Sequence, residues 1–170
     1  MKFVKLIAFV LVLGIVSCGE TNPEIKTRKV YQDTDLTEDY PYVVGGDKIV
    51  FHYYYQAEDE EQIADDEYAE DFYLAIREEE GQFVLNSDAF AVYDFSFVYR
   101  EYCFCLPANR YALVDFDLTG EEQSNGNWKL SGEVTVLTEN LNEETEEVLY
   151  TDQRKLNLSG NYQLSDFQNQ

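Results

Sequence analysis

Over residues 128–139 the apolar side chains fall on every second position, with Trp128, Leu130, Val134 and Val136 on one side and Lys129, Ser131, Glu133 and Thr135 on the other. A period of two belongs to an extended strand whose side chains alternate across a sheet; a helix would scatter the same residues around its circumference. The segment therefore requires a sheet with one dry and one wet face.

The same period recurs along most of the chain. Lys48–Gln56 places Ile49, Phe51, Tyr53 and Tyr55 on one face, and its β-branched and aromatic residues suit a pleated surface. Phe72, Leu74 and Ile76 alternate with Tyr73, Ala75 and Arg77; Glu79, Glu80 and Gly81 then lead into 82–85, which reads as a hairpin. Residues 90–106 form a long aromatic run with Tyr93, Phe95, Phe97 and Tyr99 on one side, stopped by Pro107. Residues 111–118 put Ala112, Val114, Phe116 and Leu118 opposite Asp115 and Asp117. Polar loops at 119–127 and 140–146 flank the Trp128 strand. A short strand follows at 148–150, and Leu156, Leu158, Tyr162 and Leu164 share a parity around Gly160, which would mark a bulge.

Seven or eight strands with one short helix, near 62–69, predict an all-β domain. The expected form is an antiparallel β-sandwich of immunoglobulin or fibronectin type III character, with an eight-stranded lipocalin-like β-barrel as the alternative. The difference matters for function, because a barrel would enclose a cavity for a small apolar ligand.

The N-terminus has a different logic. Lys2 and Lys5 precede an apolar stretch of 11 residues, 6–16, and then Ser17, Cys18 and Gly19. This is a signal-peptide layout, too short to span a hydrocarbon core that takes about 20 helical residues. The run Ile15-Val16-Ser17-Cys18 resembles the lipobox of bacterial lipoproteins, a resemblance confined to residues 1–18. It implies cleavage before Cys18, a diacylglyceryl group on that thiol, and an acidic domain held outside the cytoplasm. Each buried CH₂ adds about 0.8 kcal/mol, so two or three acyl chains hold a domain where one does not. Gly19 is not the aspartate that retains enterobacterial lipoproteins in the inner membrane, so the outer membrane is the expected address. The expected organisation is residues 1–17 as signal peptide, 18–40 as a lipidated tether containing Pro23, and 41–170 as the domain.

Charge narrows the partners. Removal of 1–17 takes two lysines and no acids, leaving 10 Lys+Arg against 34 Asp+Glu. Such a field repels phosphate backbones and anionic lipids, so nucleic acid is not an expected partner and membrane contact is expected through the lipid on Cys18 alone. An envelope protein or a glycan remains the natural class of partner.

Three features could carry chemistry. Nine of the fourteen residues 58–71 are carboxylates, the hard oxygen ligands Ca²⁺ takes, with Asp59, Asp65, Asp66 and Glu67 as candidate ligands; the ordinary reading is a solvated loop, because the pattern is not that of an EF-hand. Tyr53, Tyr54 and Tyr55 lie consecutively in one strand, so Tyr54 faces outward if its neighbours are core and is the candidate binding residue. Cys103 and Cys105 read as small buried thiols, since no second pair completes a zinc site and their spacing disfavours a disulfide. The single histidine, His52, sits mid-strand without a supporting motif, and no phosphate loop, G-x-S-x-G or H-E-x-x-H occurs. A non-catalytic binding or structural module without a cofactor is therefore the leading expectation. A hydrolase built on two of the many carboxylates is the remaining enzymatic one.

Overall fold

A computed structural model describes residues 23–39, 42–58, 68–77, 80–89, 94–102, 110–142 and 144–167. The described residues form ten strands: β1 (Ile25–Leu36), β2 (Val43–Gly45), β3 (Lys48–Gln56), β4 (Ala69–Ile76), β5 (Gln82–Asn86), β6 (Phe95–Tyr102), β7 (Arg110–Glu122), β8 (Trp128–Leu141), β9 (Val148–Asn157) and β10 (Gly160–Leu164). Among the described residues there is no α-helix, only a 3-10 turn at Ser87–Ala89. The protein is all-β.

The strands hydrogen-bond in the order β5-β7-β8-β10-β1-β3-β4-β6, with β2 on β1 and β9 on β8. This path is open at β5 and β6, so the barrel alternative is corrected: the sheet does not close on itself. It folds over instead into a sandwich-like pair of leaves. Leaf A holds β1, β2, β3, β4 and β6; leaf B holds β5, β7, β8, β9 and β10. Every pairing is antiparallel except β1 with β10, which is parallel and joins the leaves at Lys29–Gln163 and Val30–Leu164. Rings meet across the interior, Phe51 with Trp128 at 5.4 Å, Phe95 with Phe116 at 5.7 Å and Tyr99 with Tyr111 at 5.3 Å.

The alternation in β3 and β8 is built as the sequence implies. Ile49, Phe51 and Tyr53 point into the core, as do Trp128, Leu130, Val134 and Val136. Each such side chain contributes about 1.5–3 kcal/mol on burial. A second, smaller cluster, Tyr31, Val43, Val50, Tyr73 and Ala75, covers part of the outer face of leaf A.

Four sequence expectations are revised. The tether assigned to 18–40 already contains β1, a central strand bonded to both β3 and β10, so the folded domain begins by Ile25. Its period-two signal is faint because two inward positions are Lys26 and Arg28, whose cationic heads lie over the Tyr55 and Tyr53 rings in place of an apolar residue. The expected β4–β5 hairpin does not pair: the turn exists, with Glu80 and Gly81 at φ 55° and 73°, but β5 crosses to leaf B and bonds β7, while β4 bonds β3 and β6. In β7 the register shifts between Leu113 and Asp115, so Leu113 is buried and Val114, expected inside, is exposed. Leu164, assigned the parity of Tyr162, is exposed as well, because β10 ends there. The helix expected near 62–69 falls largely outside the described residues, and Ala69 opens β4.

Candidate functional site

Pairing across leaf A sorts its side chains into rows. Facing outward are the rows Lys29–His52–Tyr73–Val98 and Thr27–Tyr54–Asp71–Arg100; facing inward are Lys26–Tyr55–Glu70–Glu101 and Arg28–Tyr53–Phe72–Tyr99. Opposed residues in an antiparallel ladder share a face, with Cβ atoms about 4.5–5.5 Å apart, so each row is a set of touching neighbours.

The outward rows form a polar aromatic surface. Asp71 Oδ1 lies 2.7 Å from His52 Nε2, and Asp71 Oδ2 accepts from the Tyr102 hydroxyl at 3.1 Å. The His52 ring is stacked on Tyr73, Tyr73 meets Tyr42 at 5.5 Å, and the Arg100 guanidinium lies over the Tyr42 ring at 5.6 Å while its Nε donates to the Tyr42 hydroxyl at 3.4 Å. Tyr54, the sequence candidate, is on this face, half-buried, with its hydroxyl donating to Gln56 Oε1 at 2.9 Å. Burial, followed by the nearby Asp71 charge, pushes the Tyr102 hydroxyl up to about 12. Asp71 is the one carboxylate of these two rows, and both of its oxygens are engaged.

The inward rows contain a buried acid. Glu70, 3% exposed, accepts at Oε2 from Tyr68 at 2.8 Å, Tyr99 at 3.2 Å and Arg154 Nε at 3.3 Å. Glu101 Oε1 accepts from the same two hydroxyls, Tyr99 at 2.9 Å and Tyr68 at 3.3 Å. Three cations lie on rings here, Lys26 over Tyr55, Arg28 over Tyr53 and Arg154 over Tyr68. Desolvation drives both bridging tyrosines well above the usual phenol range. Two carboxylates sharing two hydroxyls lock the edge strand β6 to β4, and Arg154 ties β9 of leaf B to leaf A.

Sequence reasoning missed both networks, yet a signal was present. Glu70 has the parity of Phe72, and Glu101 that of Tyr99, so each acid occupies a core-facing position. His52 and Asp71 require knowledge that β3 and β4 are neighbours in register.

The other sequence candidates fall elsewhere. Cys18, the Ca²⁺ candidates Asp59, Asp65, Asp66 and Glu67, and Cys103 and Cys105 all lie outside the described residues. Among the described residues no group of three or more His, Cys, Asp or Glu side chains is arranged to hold a metal.

Compared with protein-family models, curated proteins and solved structures, the chain matches none.

Proposed function

We propose that this chain is a lipid-anchored, extracytoplasmic binding module, held at the outer membrane through acylated Cys18 and engaging an envelope protein or glycan through the outer face of leaf A. The lipobox-like run ending at Cys18 supports the anchor. The observation that carries the binding role is the aromatic run His52–Tyr73–Tyr42–Arg100, bordered by Tyr54 and Tyr102, in a chain of net charge −22. Tyrosine and arginine are the side chains that most often anchor recognition, because they bring large contact area with a polar handle. Ca²⁺ on Asp59, Asp65, Asp66 and Glu67 is a subordinate proposal, tested by calorimetric titration.

Two measurements test the main reading. Mass spectrometry of protein from its native cell should find a diacylated Cys18 at the new N-terminus. Crosslinking from the outer face in intact envelopes should give a defined adduct that Tyr102→Ala and Tyr54→Ala weaken and Val84→Ala, on leaf B, does not. An adduct indifferent to both tyrosines would remove this face as the site.

A second reading, carboxylate chemistry, is favoured by the Glu70–Glu101 pair, each bonded to the same two hydroxyls. It requires a substrate to reach Glu70 beneath Tyr68 and Arg154. Turnover of a glycan that Glu101→Gln abolishes without loss of fold would establish it.

A further inference from the structure

The exposed large apolar residues are not spread evenly. Of the nine in the described part, five (Ile25, Tyr102, Val148, Leu149 and Tyr150) gather at one end of the sandwich. The ladder fixes that end: Ile25 pairs with Gln56, Gln56 with Ala69, and Ala69 with Tyr102. Tyr99 against Tyr111 and Arg154 on Glu70 align leaf B with it, and from there the strands run on to the pairs Arg110–Glu139 and Leu141–Val148. Val148, Leu149 and Tyr150 are 47%, 62% and 59% exposed, three consecutive residues on β9, which among the described strands bonds only β8.

The N-terminus leaves from this same end. Six residues separate Cys18 from Ile25. At about 3.3–3.6 Å per residue, the seven steps reach at most about 25 Å, so lipid on Cys18 holds this end of the domain, and not the opposite one, against the bilayer.

We infer that the apolar rim Ile25, Tyr102 and Val148–Leu149–Tyr150 is a membrane-contacting surface that seats the domain on a zwitterionic bilayer. This rests on the lipid-anchor reading above and goes beyond it, because contact is then made by protein as well as by acyl chains. Tyrosine suits the headgroup level, with its ring toward the chains and its hydroxyl toward water. At this end Glu24 and Glu139 are paired with Lys26 and Arg110, while Glu58, Glu144, Glu146 and Glu147 are exposed acids that leave the end net negative. They repel an anionic membrane, so the seat is selective for neutral headgroups. The opposite end, around Gly45 and Lys48, then faces away from the membrane.

The test uses acylated full chain reconstituted into phosphatidylcholine vesicles, with acylation verified on each sample by mass spectrometry. Wild type has one tryptophan, Trp128, fully buried, which supplies the baseline emission. Tyr150→Trp should lose its added emission when brominated phosphatidylcholine is present, whereas Val44→Trp, at the far end, should keep it. Replacing a third of the lipid with phosphatidylglycerol should restore the added emission of Tyr150→Trp. Acylated Tyr150→Trp whose added emission is not quenched overturns the membrane seat and leaves the anchor standing. An indole at position 150 that is shielded from aqueous quencher but untouched by bromolipid, with a dimer by crosslinking, assigns the rim to a second copy and overturns it too. Absence of acylation removes the anchor and this inference with it.

Discussion

His52 and Tyr73, opposed on β3 and β4, lie with their rings 4.1 Å apart and 5° from parallel. The stack leaves only the ring edges for hydrogen bonding. Nε2 meets Asp71, and Nδ1 is buried without a partner among the described residues. Since an ionised carboxylate only accepts, Nε2 is the donor in this contact. Asp71 is thus the polar group that fixes the orientation of the imidazole and of Tyr102 together.

Asp71→Ala should therefore do two things. It leaves the part-buried His52 without its acceptor and hands the exposed Tyr102 hydroxyl to water, costing about 1–2 kcal/mol in urea unfolding. It also removes an anion that raises Tyr102, so the Tyr102 phenol should ionise at lower pH in an absorbance titration, while burial keeps it above the ordinary value. An unchanged Tyr102 titration would show that Asp71 is not its neighbour.

Alkaline stability follows from the tyrosines as a group. Tyr68, Tyr73, Tyr99 and Tyr162 are all raised above the ordinary value of 10.0, with burial the largest cause in each, and Tyr102 is raised to about 12. A phenol whose pKa is higher folded than unfolded holds its proton more tightly in the native state. Its contribution is complete below about pH 10 and is lost as pH climbs through the folded value. The melting temperature should fall steeply from about pH 10 upward, with the buried tyrosinate absorbance appearing together with unfolding. Ionisation of these buried phenols at about pH 10 in a still-folded protein would contradict this burial.

Legibility followed the physics of each strand. In β8 one face meets the core and the other meets water, and in β3 the outer face is only partly covered, by the small cluster at Val50, so periodicity alone assigned their inward residues. It did so again for Tyr53 and Tyr55, and hence Tyr54 outward. β1 was hidden because cation–ring packing replaces apolar residues at Lys26 and Arg28. The turn at Glu80 and Gly81 was readable, but a turn does not say whether the next strand bonds its neighbour or crosses to the other leaf. The shift at Val114 inverted one face of β7, and nothing in 111–118 marks it. Partnerships such as His52–Asp71 depend on register between strands, which one sequence does not encode locally.

The core tryptophan offers a sharper contrast. Trp128 is fully buried between Phe51 and Phe83, and its Nε1–H has no acceptor among the described residues. Trp128→Ala should cost about 3–5 kcal/mol through lost burial and the cavity left behind. Trp128→Phe should cost less than about 1.5 kcal/mol, because removing an unsatisfied donor returns part of what the smaller ring loses. Equal losses in the two variants would mean that the indole N–H is bonded after all.

Gly132 tests backbone geometry at a position whose N–H donates to the Ser159 hydroxyl at 3.0 Å. It sits in β8 at φ 128°, and a Cβ there would collide with the carbonyl of Asp117 on β7. Opposite it is Leu118, so the two backbones approach where neither strand has room to move. Gly132→Ala should destabilise by at least about 2 kcal/mol, by strained φ and by separation of the β7–β8 ladder. Gly45→Ala, where a Cβ meets nothing, should be close to neutral by the same thermal melt.

Glu70 separates charge from hydrogen bonding. Its Oε2 takes three donors, and Arg154, the cationic one, reaches across from β9 with much of its own side chain in water. Glu70→Gln keeps an acceptor oxygen for Tyr68 and Tyr99, which also retain Glu101, and loses only the attraction to a solvent-screened guanidinium. That change should cost about 1 kcal/mol or less. Glu70→Ala removes the acceptor and leaves a void between the leaves, and should cost about 2–4 kcal/mol. Because Arg154 is the tie between β9 and leaf A, hydrogen exchange in Glu70→Ala should rise first in β9, with the Trp128 half of β8 protected. Uniform loss of protection would show that the network supports the whole fold and not the seam at this end.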